Sequence, residues 1–144
     1  MHRILFICYG NICRSTMAQS VMCDLVWKAG RAGEFEIDSA ATSRAAIGQK
    51  PHPGTQARLK RAGVPLVPHR ARQVRASEYD DWDLIIGMDR MNVRALRQIF
   101  GADPEGKIRR LVPNRDIDDP WYTGDYDATY RDVLAGCQAL LGRL

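Results

Sequence analysis

Four short apolar runs, each bounded by turn residues, have the length of β-strands. They are "RILFIC" (3–8), "FEIDS" (35–39), "DLIIGM" (83–88) and, less regularly, "KIRRLV" (107–112). A strand covered on both faces reads as a short continuous apolar run, so these segments predict four buried strands.

Between the runs, apolar residues recur at spacings of three and four, which is typical of amphipathic helices. One stripe covers residues 18–29 and stops at Gly30, a typical residue just beyond a helix end. A second covers residues 130–141, and weaker patterns over 54–62 and 90–100 predict two shorter helices.

The alternation of strands and helices favours a parallel sheet with helices on both faces, which is a three-layer α/β/α fold. The chain has 144 residues and is expected to form one domain over residues 1–144. Ligands of such sheets bind beyond the carboxyl ends of the strands. The residues expected at those ends are Cys8, Ser39, Asp89 and Asp119.

Composition narrows the class of protein. No apolar run approaches the roughly 18 residues of a membrane span, and the N-terminus lacks a signal-peptide cleavage pattern, so we expect a cytoplasmic protein without a membrane partner. The net charge is +4, and the basic residues are spread along the chain, most densely over residues 50–75. No long basic run with interleaved aromatic residues is present, which argues against nucleic-acid binding.

The four cysteines form neither a CxxC pair nor a metal-ligand array with histidine, so free thiols and no metal site are expected. They are Cys8, Cys13, Cys23 and Cys137. Cys23 and Cys137 lie on apolar helical stripes, where inert core thiols are expected.

The segment "CYGNICRST" (8–16) joins the first predicted strand to the first predicted helix. In such a bend, backbone N–H groups point into one concavity and the helix dipole adds positive potential. Gly10 permits close backbone approach, and Asn11 tolerates the left-handed region. Arg14 adds a guanidinium that can bind two phosphate oxygens. This positive field favours a thiolate nucleophile at Cys8.

Each of these residues also has a purely structural interpretation. Cys8 fits a buried strand end, Arg14 a surface charge and Ser15 a helix N-cap. The joint pattern Cys-(x)5-Arg-Ser between a strand and a helix instead favours a phosphate site with a nucleophile.

The segment "CYGNICRS" (8–15) resembles the phosphate-binding signature of the low-molecular-weight protein-tyrosine phosphatases. The resemblance extends over essentially the whole chain, with further similar segments in the same order. They are "IDSAATS" (37–43), "VPHRARQV" (67–74), "DLIIGMDRMN" (83–92) and "DDPWY" (118–122).

This resemblance implies a flavodoxin-like, phosphotyrosine phosphatase I-like fold. It also implies hydrolysis of phosphotyrosine and aryl phosphate monoesters through a phosphocysteine. Cys8 is then the nucleophile, Arg14 binds the phosphate, and Asp119 is the general acid and base. Asp118 is the local alternative to Asp119, and the five aspartates within residues 116–127 also fit a solvated acidic loop. The phosphate-binding loop implied in this way contains Tyr9, Gly10, Asn11, Ile12, Cys13 and Ser15.

Further residues are assigned by the same resemblance. A hydrogen-bond network that supports the loop is expected from Asn11, Ser15, Ser39 and His69. Asp89 is expected beside the site and also as the N-cap of the helix that follows it. Cys13 corresponds to a second family cysteine that traps the oxidised nucleophile as a disulfide; a helix-entry core thiol is the alternative.

Trp121 and Tyr122 follow the expected acid and are interpreted as a wall for a phenyl phosphate, with Tyr9 at the rim. The alternative is an aromatic pair that anchors the loop to the core. Tyrosines of this region are sometimes phosphorylated in the family. The corresponding hydroxyls here belong to Tyr122, Tyr126 and Tyr130.

Four residues depart from the family pattern. Thr16 stands where proline is usual, Tyr9 where a small or aliphatic residue is usual, and Ala45 where many members have an aromatic. Gln19 stands where glutamate is frequent, which is expected to weaken a charge partner for His69.

Two other functions fit part of the pattern. An arsenate reductase of this fold needs relay thiols after the third strand. Residues 77–100 contain no cysteine, which argues against this function. A non-catalytic phosphoester-binding module has no need for Cys8, Arg14 and Asp119 together.

The expected partners are a phosphotyrosine protein, a tyrosine autokinase among the candidates, or a small aryl phosphate, with inorganic phosphate as product. No cofactor is expected, and the chain is expected to be a monomer or weak homodimer.

Overall fold

The four apolar runs form one parallel sheet in the computed structural model, which describes residues 1–144. The strand order is β2-β1-β3-β4, so the N-terminal strand is central. The strands are β1 (His2–Cys8), β2 (Phe35–Ala41), β3 (Leu84–Gly87) and β4 (Ile108–Arg110). The expected fold class is confirmed.

Strands β1 and β3 agree with the sequence prediction to within one residue at each end, whereas β2 and β4 differ by two residues at their C-terminal ends. Strand β2 continues to Ala41 because residues 72–74 extend the sheet: the N–H of Ala41 bonds to the carbonyl of Arg72, and its carbonyl accepts from Val74. Ser39 therefore lies within β2 rather than after it. Strand β4 has only three residues because its partner β3 ends at Gly87.

All four predicted helices are present. A short helix that the apolar pattern did not predict precedes the last of them, and two 3₁₀ segments cover Ala32–Glu34 and Ala76–Asp81. The α-helices are α1 (Arg14–Lys28), α2 (Pro53–Arg61), α3 (Arg90–Phe100), α4 (Pro120–Thr123) and α5 (Tyr126–Gly142). Gly30, at φ 71°, follows the end of α1 as expected.

The side chains of β1 alternate between two hydrophobic clusters, which explains why this strand is apolar throughout. Ile4 and Phe6 face the cluster that includes residues of α1, α2 and α5, whereas Leu5 and Ile7 face the cluster beneath α3. Both faces of the sheet are therefore covered, and the site must lie at its carboxyl edge.

The two cysteines assigned to the core differ. Cys137 is fully buried within the main hydrophobic cluster, but Cys23 is only partly buried and is not a member of that cluster. No helix is both long and apolar enough to cross a membrane.

Candidate active site

The loop after β1 brings the end of the central strand to the start of α1. Cys8 ends β1 and is 3% exposed, and α1 begins at Arg14. Asn11 has φ 60°, a left-handed conformation in which asparagine is among the best-tolerated residues. The bend predicted from the sequence is therefore present, with the thiol at its base.

Two donors point at the sulfur of Cys8. The backbone N–H of Asn11 lies 3.2 Å from it and the hydroxyl of Ser15 lies 3.0 Å from it. The N-cap interpretation of Ser15 is wrong: position 13 is the N-cap, no side chain caps the helix, and Ser15 lies inside the first turn. There its hydroxyl faces the sulfur.

The hydrogen bonds of Asn11 have a definite direction. Its Oδ1 accepts from the backbone N–H of Arg72 at 3.2 Å, which is necessarily a donor, so the amide orientation is fixed. Nδ2 then donates to Ser15 Oγ at 2.7 Å and to Ser39 Oγ at 3.0 Å. Since the oxygen of Ser15 already accepts a hydrogen bond from Asn11, its own O–H is free to donate to the sulfur of Cys8.

His69 stands at the start of this chain. Its Nε2 lies 2.7 Å from Asn11 Oδ1, which can only accept, so Nε2 carries the proton. Burial, aided by the charge of Arg72, lowers the pKa of His69 below its usual value, although Asp38 opposes the shift. A neutral imidazole thus donates into a network that ends at the thiol.

The expectation for Gln19 needs correction. Gln19 does not contact His69; it accepts from Ser39 Oγ at 2.5 Å and donates to Asp38 at 3.5 Å. The carboxylate near His69 is Asp38, whose Oδ1 lies 3.7 Å from Nδ1. A glutamine at position 19 therefore leaves that charge partner in place.

Arg14 is 3% exposed and lies between two carboxylates. Its Nη1 donates to Asp89 at 2.7 Å and to the carbonyl of Ile117 at 2.8 Å, and its Nη2 donates to Asp119 at 3.4 Å. Burial disfavours the charge, but the Cys8 thiolate and both carboxylates outweigh it and raise the pKa of Arg14. The surface-charge interpretation of Arg14 is therefore wrong.

The Nε of Arg14 is buried and has no hydrogen-bond partner. A buried guanidinium N–H without a partner is costly, and here it belongs to the residue expected to bind phosphate. Nε together with an adjacent Nη can donate to two oxygens of one tetrahedral anion. The site therefore retains an unused donor of the kind that binds a phosphate.

Asp119 was expected directly after the fourth strand. It lies instead nine positions beyond Arg110, the last residue of β4. Its carboxylate caps α4 by accepting from Trp121 N at 3.0 Å and also reaches Arg14. Asp118 is exposed. Of the two aspartates, only Asp119 lines the cavity above Cys8.

The cavity above the thiol has a volume of about 210 Å³ and is mostly apolar. Tyr9, Trp121 and Tyr122 form its rim and are 55%, 61% and 81% exposed. All three aromatic residues named from the sequence line this cavity. The lining consists of Cys8, Tyr9, Gly10, Ile12, Cys13, Ala45, Ala46, Gln49, Asp119, Trp121 and Tyr122.

Comparison with known proteins gives the family. The profile described as low molecular weight phosphotyrosine protein phosphatase matches residues 3–144. The chain is 39% identical to the low molecular weight protein-tyrosine-phosphatase YfkJ of Bacillus subtilis, over 100% of this chain and 96% of that protein. It is 34% identical to the human low molecular weight phosphotyrosine protein phosphatase, over 96% of this chain and 92% of that protein. The chain belongs to this phosphatase family.

Solved structures of similar proteins share the fold. The crystal structure of YfkJ from Bacillus subtilis superposes with a TM-score of 0.95, at 40% identity, and covers 99% of this chain and 94% of that one. The crystal structure of a Drosophila arginine phosphatase superposes with a TM-score of 0.87, at 28% identity, and covers 97% of this chain and 96% of that one. The resemblance stated from the motifs is confirmed.

One group beside the site of this family member was not predicted from the sequence. The backbone N–H of His52 donates to the carbonyl of Ile12, in the loop after β1, at 2.8 Å. Its Nδ1 accepts from Gly54 N–H at 3.0 Å and lies 2.8 Å from the Tyr126 hydroxyl, and its ring packs edge-on against Trp121. His52 thus connects the loop, the rim and α5. The only sequence signal was a histidine before the proline that starts α2.

The Tyr126 hydroxyl is also near the second cysteine of the loop. It lies 3.7 Å from the sulfur of Cys13, and burial raises the pKa of Cys13 to about 11 and also raises the pKa of Tyr126. Cys13 is therefore a protonated, buried thiol at neutral pH. No group of three or more His, Cys, Asp or Glu side chains is arranged to hold a metal ion.

Proposed function

We propose that the chain, a single catalytic domain over residues 1–144, hydrolyses phosphotyrosine and other aryl phosphate monoesters through a phosphocysteine. The observation that carries this proposal is the pairing in one loop of a buried thiol that receives two donors with a buried arginine whose Nε has no partner. A nucleophile beside an unused oxyanion donor is the arrangement that phosphoryl transfer needs.

In the first step, the Cys8 thiolate attacks phosphorus in line, the S–P bond forms, and the bond from phosphorus to the aryl oxygen breaks. Arg14 and the N–H groups of the loop stabilise the equatorial oxygens in the transition state. Asp119, at the mouth of the cavity, gives its proton to the leaving oxygen so that a neutral phenol departs.

In the second step, Asp119 accepts a proton from a water molecule that attacks phosphorus, the S–P bond breaks, and inorganic phosphate is released. The departing thiolate of Cys8 accepts hydrogen bonds from the O–H of Ser15 and the backbone N–H of Asn11. One carboxyl thus serves both halves of the reaction.

The cavity favours an aryl substrate. Eight of its eleven lining residues are hydrophobic, and Asp119 is the single carboxylate among them. A phosphoarginine side chain brings a guanidinium that needs carboxylate partners in addition to the acid, whereas a phenyl ring packs on Trp121 and Tyr122. We therefore infer that a phosphotyrosine protein, such as a tyrosine autokinase, or a small aryl phosphate is the substrate, rather than phosphoarginine.

The proposal is tested with two aryl phosphates that differ in leaving group. The variant Asp119→Ala should lose about 10²–10⁴-fold in kcat with phenyl phosphate but far less with p-nitrophenyl phosphate, whose anion departs without a proton. Cys8→Ser should abolish turnover of both. Equal losses with both esters would remove Asp119 from the acid role, and faster release of phosphate from phosphoarginine than from phosphotyrosine would overturn the substrate assignment.

We also propose a protective role for Cys13, which lies in the same loop as the nucleophile. A peroxide oxidises Cys8 to a sulfenic acid and is itself reduced; attack by Cys13 then forms a disulfide and releases water. We place the enzyme in the cytoplasm, a reducing compartment in which its four unpaired cysteines stay reduced. We further propose that it is a monomer or weak homodimer. The variant Cys13→Ser should remain active, but its activity after peroxide treatment should not be restored by thiol reductants, whereas that of the wild-type protein should be.

A further inference from the structure

A groove lined by arginines runs along α3 and β4, outside the catalytic cavity. It has a volume of about 800 Å³, and only two of its nine lining residues are hydrophobic. Its five cationic residues, which we call the arginine groove, are Arg90, Arg94, Arg97, Arg109 and Arg110.

The helix presents its cations on one face. Arg90, Arg94 and Arg97 are spaced by four and three residues and are exposed. The opposite face of the helix buries Leu96 in the hydrophobic cluster between α3 and the sheet. The rise of an α-helix places the first and last of these arginines about 10 Å apart along the axis. An extended peptide covers that length with roughly three residues.

The charge of the groove is only partly compensated, since the five arginines have two carboxylates, Asp103 and Asp116, as neighbours. Asp116 pairs with Arg90 and Arg110 at one end, and Asp103 lies near Arg97 at the other, where it already accepts three hydrogen bonds. The remaining cations form no ion pair and no side-chain hydrogen bond. They are Arg94, Arg97 and Arg109.

Protection of the sheet edge explains only part of this pattern. Strand β4 is the edge strand, and charged residues on an edge discourage pairing with another chain. That account covers Arg109 and Arg110. It gives no reason for Arg94 and Arg97, which lie on the helix.

The groove begins beside the catalytic residues. Asp89, which binds Arg14, is the residue directly before Arg90, and Asp116 belongs to the same loop as Asp119. The cavity of about 210 Å³ holds little more than an aryl phosphate, so the rest of a polypeptide substrate must lie on the surface around it.

We propose that the arginine groove binds an acidic segment of the protein substrate, at a distance from its phosphotyrosine. Separate guanidinium groups spaced along a helix match successive carboxylates, which they bind in bidentate geometry. No aromatic residue lines the groove to stack on bases, so a protein segment fits better than a nucleic acid. This inference rests on the proposed phosphatase function and deepens it.

The test compares two phosphotyrosine peptides of equal length, one with a run of glutamates and one with glutamines at the same positions. Turnover of p-nitrophenyl phosphate by the wild-type protein is measured first, since its absence refutes the phosphatase function itself. With that activity present, we expect kcat/KM to be about five- to ten-fold higher for the glutamate peptide at low salt, and the preference to vanish near 0.5 M salt, where charges are screened. Equal kcat/KM for both peptides would overturn the groove proposal alone.

A pair of charge reversals locates the effect. The double variant Arg94→Glu with Arg97→Glu should reduce the preference for the glutamate peptide to about two-fold or less. If these reversals impair folding, the milder pair Arg94→Gln with Arg97→Gln takes their place. The matched control is Lys60→Glu with Arg131→Glu, which changes net charge equally at two exposed helical residues without ion pairs. An equal loss in the control would show a general charge effect and refute the groove. Tighter binding of a single-stranded oligonucleotide than of the glutamate peptide, lost in the groove variants, would refute a protein partner.

Discussion

The carboxylate of Asp89 holds the guanidinium of Arg14 at 2.7 Å and also caps α3 through the N–H of Asn92. One side chain therefore orients the buried Arg14 and starts the helix beside the site. The two contacts use different oxygens, Oδ2 and Oδ1, so they can be separated by mutation.

Asp89→Asn keeps an N-cap, because asparagine caps as well as aspartate, but removes the charge beside Arg14. We expect a loss of about 1–3 kcal/mol in the free energy of unfolding, since the buried guanidinium loses its closest ionic partner. We also expect a loss of about 10²-fold in kcat, because Arg14 is no longer held in position. Asp89→Ala should be less stable by about a further 1 kcal/mol. Urea unfolding and aryl phosphate kinetics measure both effects; wild-type turnover in the asparagine variant would contradict the orienting role.

Ser15→Ala removes the hydroxyl that donates to the sulfur of Cys8. We expect kcat to fall about 10- to 100-fold and alkylation of Cys8 by iodoacetamide to slow, because the thiolate loses one of its two donors. Thr16→Ala is the matched control, because its hydroxyl, in the same turn, bonds to the carbonyl of Cys13 instead. Equal alkylation rates for the two variants across pH would argue against the donor role of Ser15.

His69 makes the stability of the fold depend on pH. Its pKa is lowered in the folded protein, chiefly by burial, so the unfolded chain binds a proton more readily. The contribution is full above about pH 6.5, the usual histidine value, and is lost progressively as the pH falls toward the folded pKa.

In His69→Gln, the side-chain amide can still donate to Asn11 but does not titrate. Its free energy of unfolding should therefore fall less steeply than that of the wild type between about pH 7 and pH 5. His2 and His52 are common to both proteins and cancel in the comparison. Chemical denaturation at a series of pH values gives the two slopes, and parallel slopes would exclude His69 as a source of the pH dependence.

Gly54 leaves room for the ring of Tyr126. A Cβ at position 54 would lie 2.4 Å from that ring, so Gly54→Ala must displace Tyr126 and, through His52, Trp121. Alanine normally stabilises a helix by up to about 1 kcal/mol relative to glycine, so a net loss of about 1–3 kcal/mol would identify the steric clash.

Combining Gly54→Ala with Tyr126→Ser should cost less stability than the sum of the two single variants, because the clashing ring is gone once Tyr126 is replaced. Thermal unfolding measures the stability. A change in tryptophan fluorescence that is absent when Trp121 is also replaced by Phe measures the displacement of the rim, because Trp27 and Trp82 also emit. A double variant whose losses are simply additive would show that position 54 does not act through Tyr126.

The sequence determined the elements of the fold and the chemistry of the loop. Apolar runs and stripes depend on which faces must be buried, a local property that the spacing of residues along the chain records. The bend from Cys8 to Arg14 was readable for the same reason, since a strand end, a conformationally tolerant Asn11 and a helix start adjoin in the chain.

Only the tertiary structure decided which distant residues complete the site. Arg14 meets Asp89, 75 positions away, and Asn11 meets His69, 58 positions away, because the strand order places their loops at one edge of the sheet. The direction of the donors toward Cys8 depends on the backbone N–H of Arg72, and the role of His52 depends on the packing of α2 against α5. Hydrogen bonds and side-chain packing act over a few ångströms, so sequence spacing cannot specify them until the chain has folded.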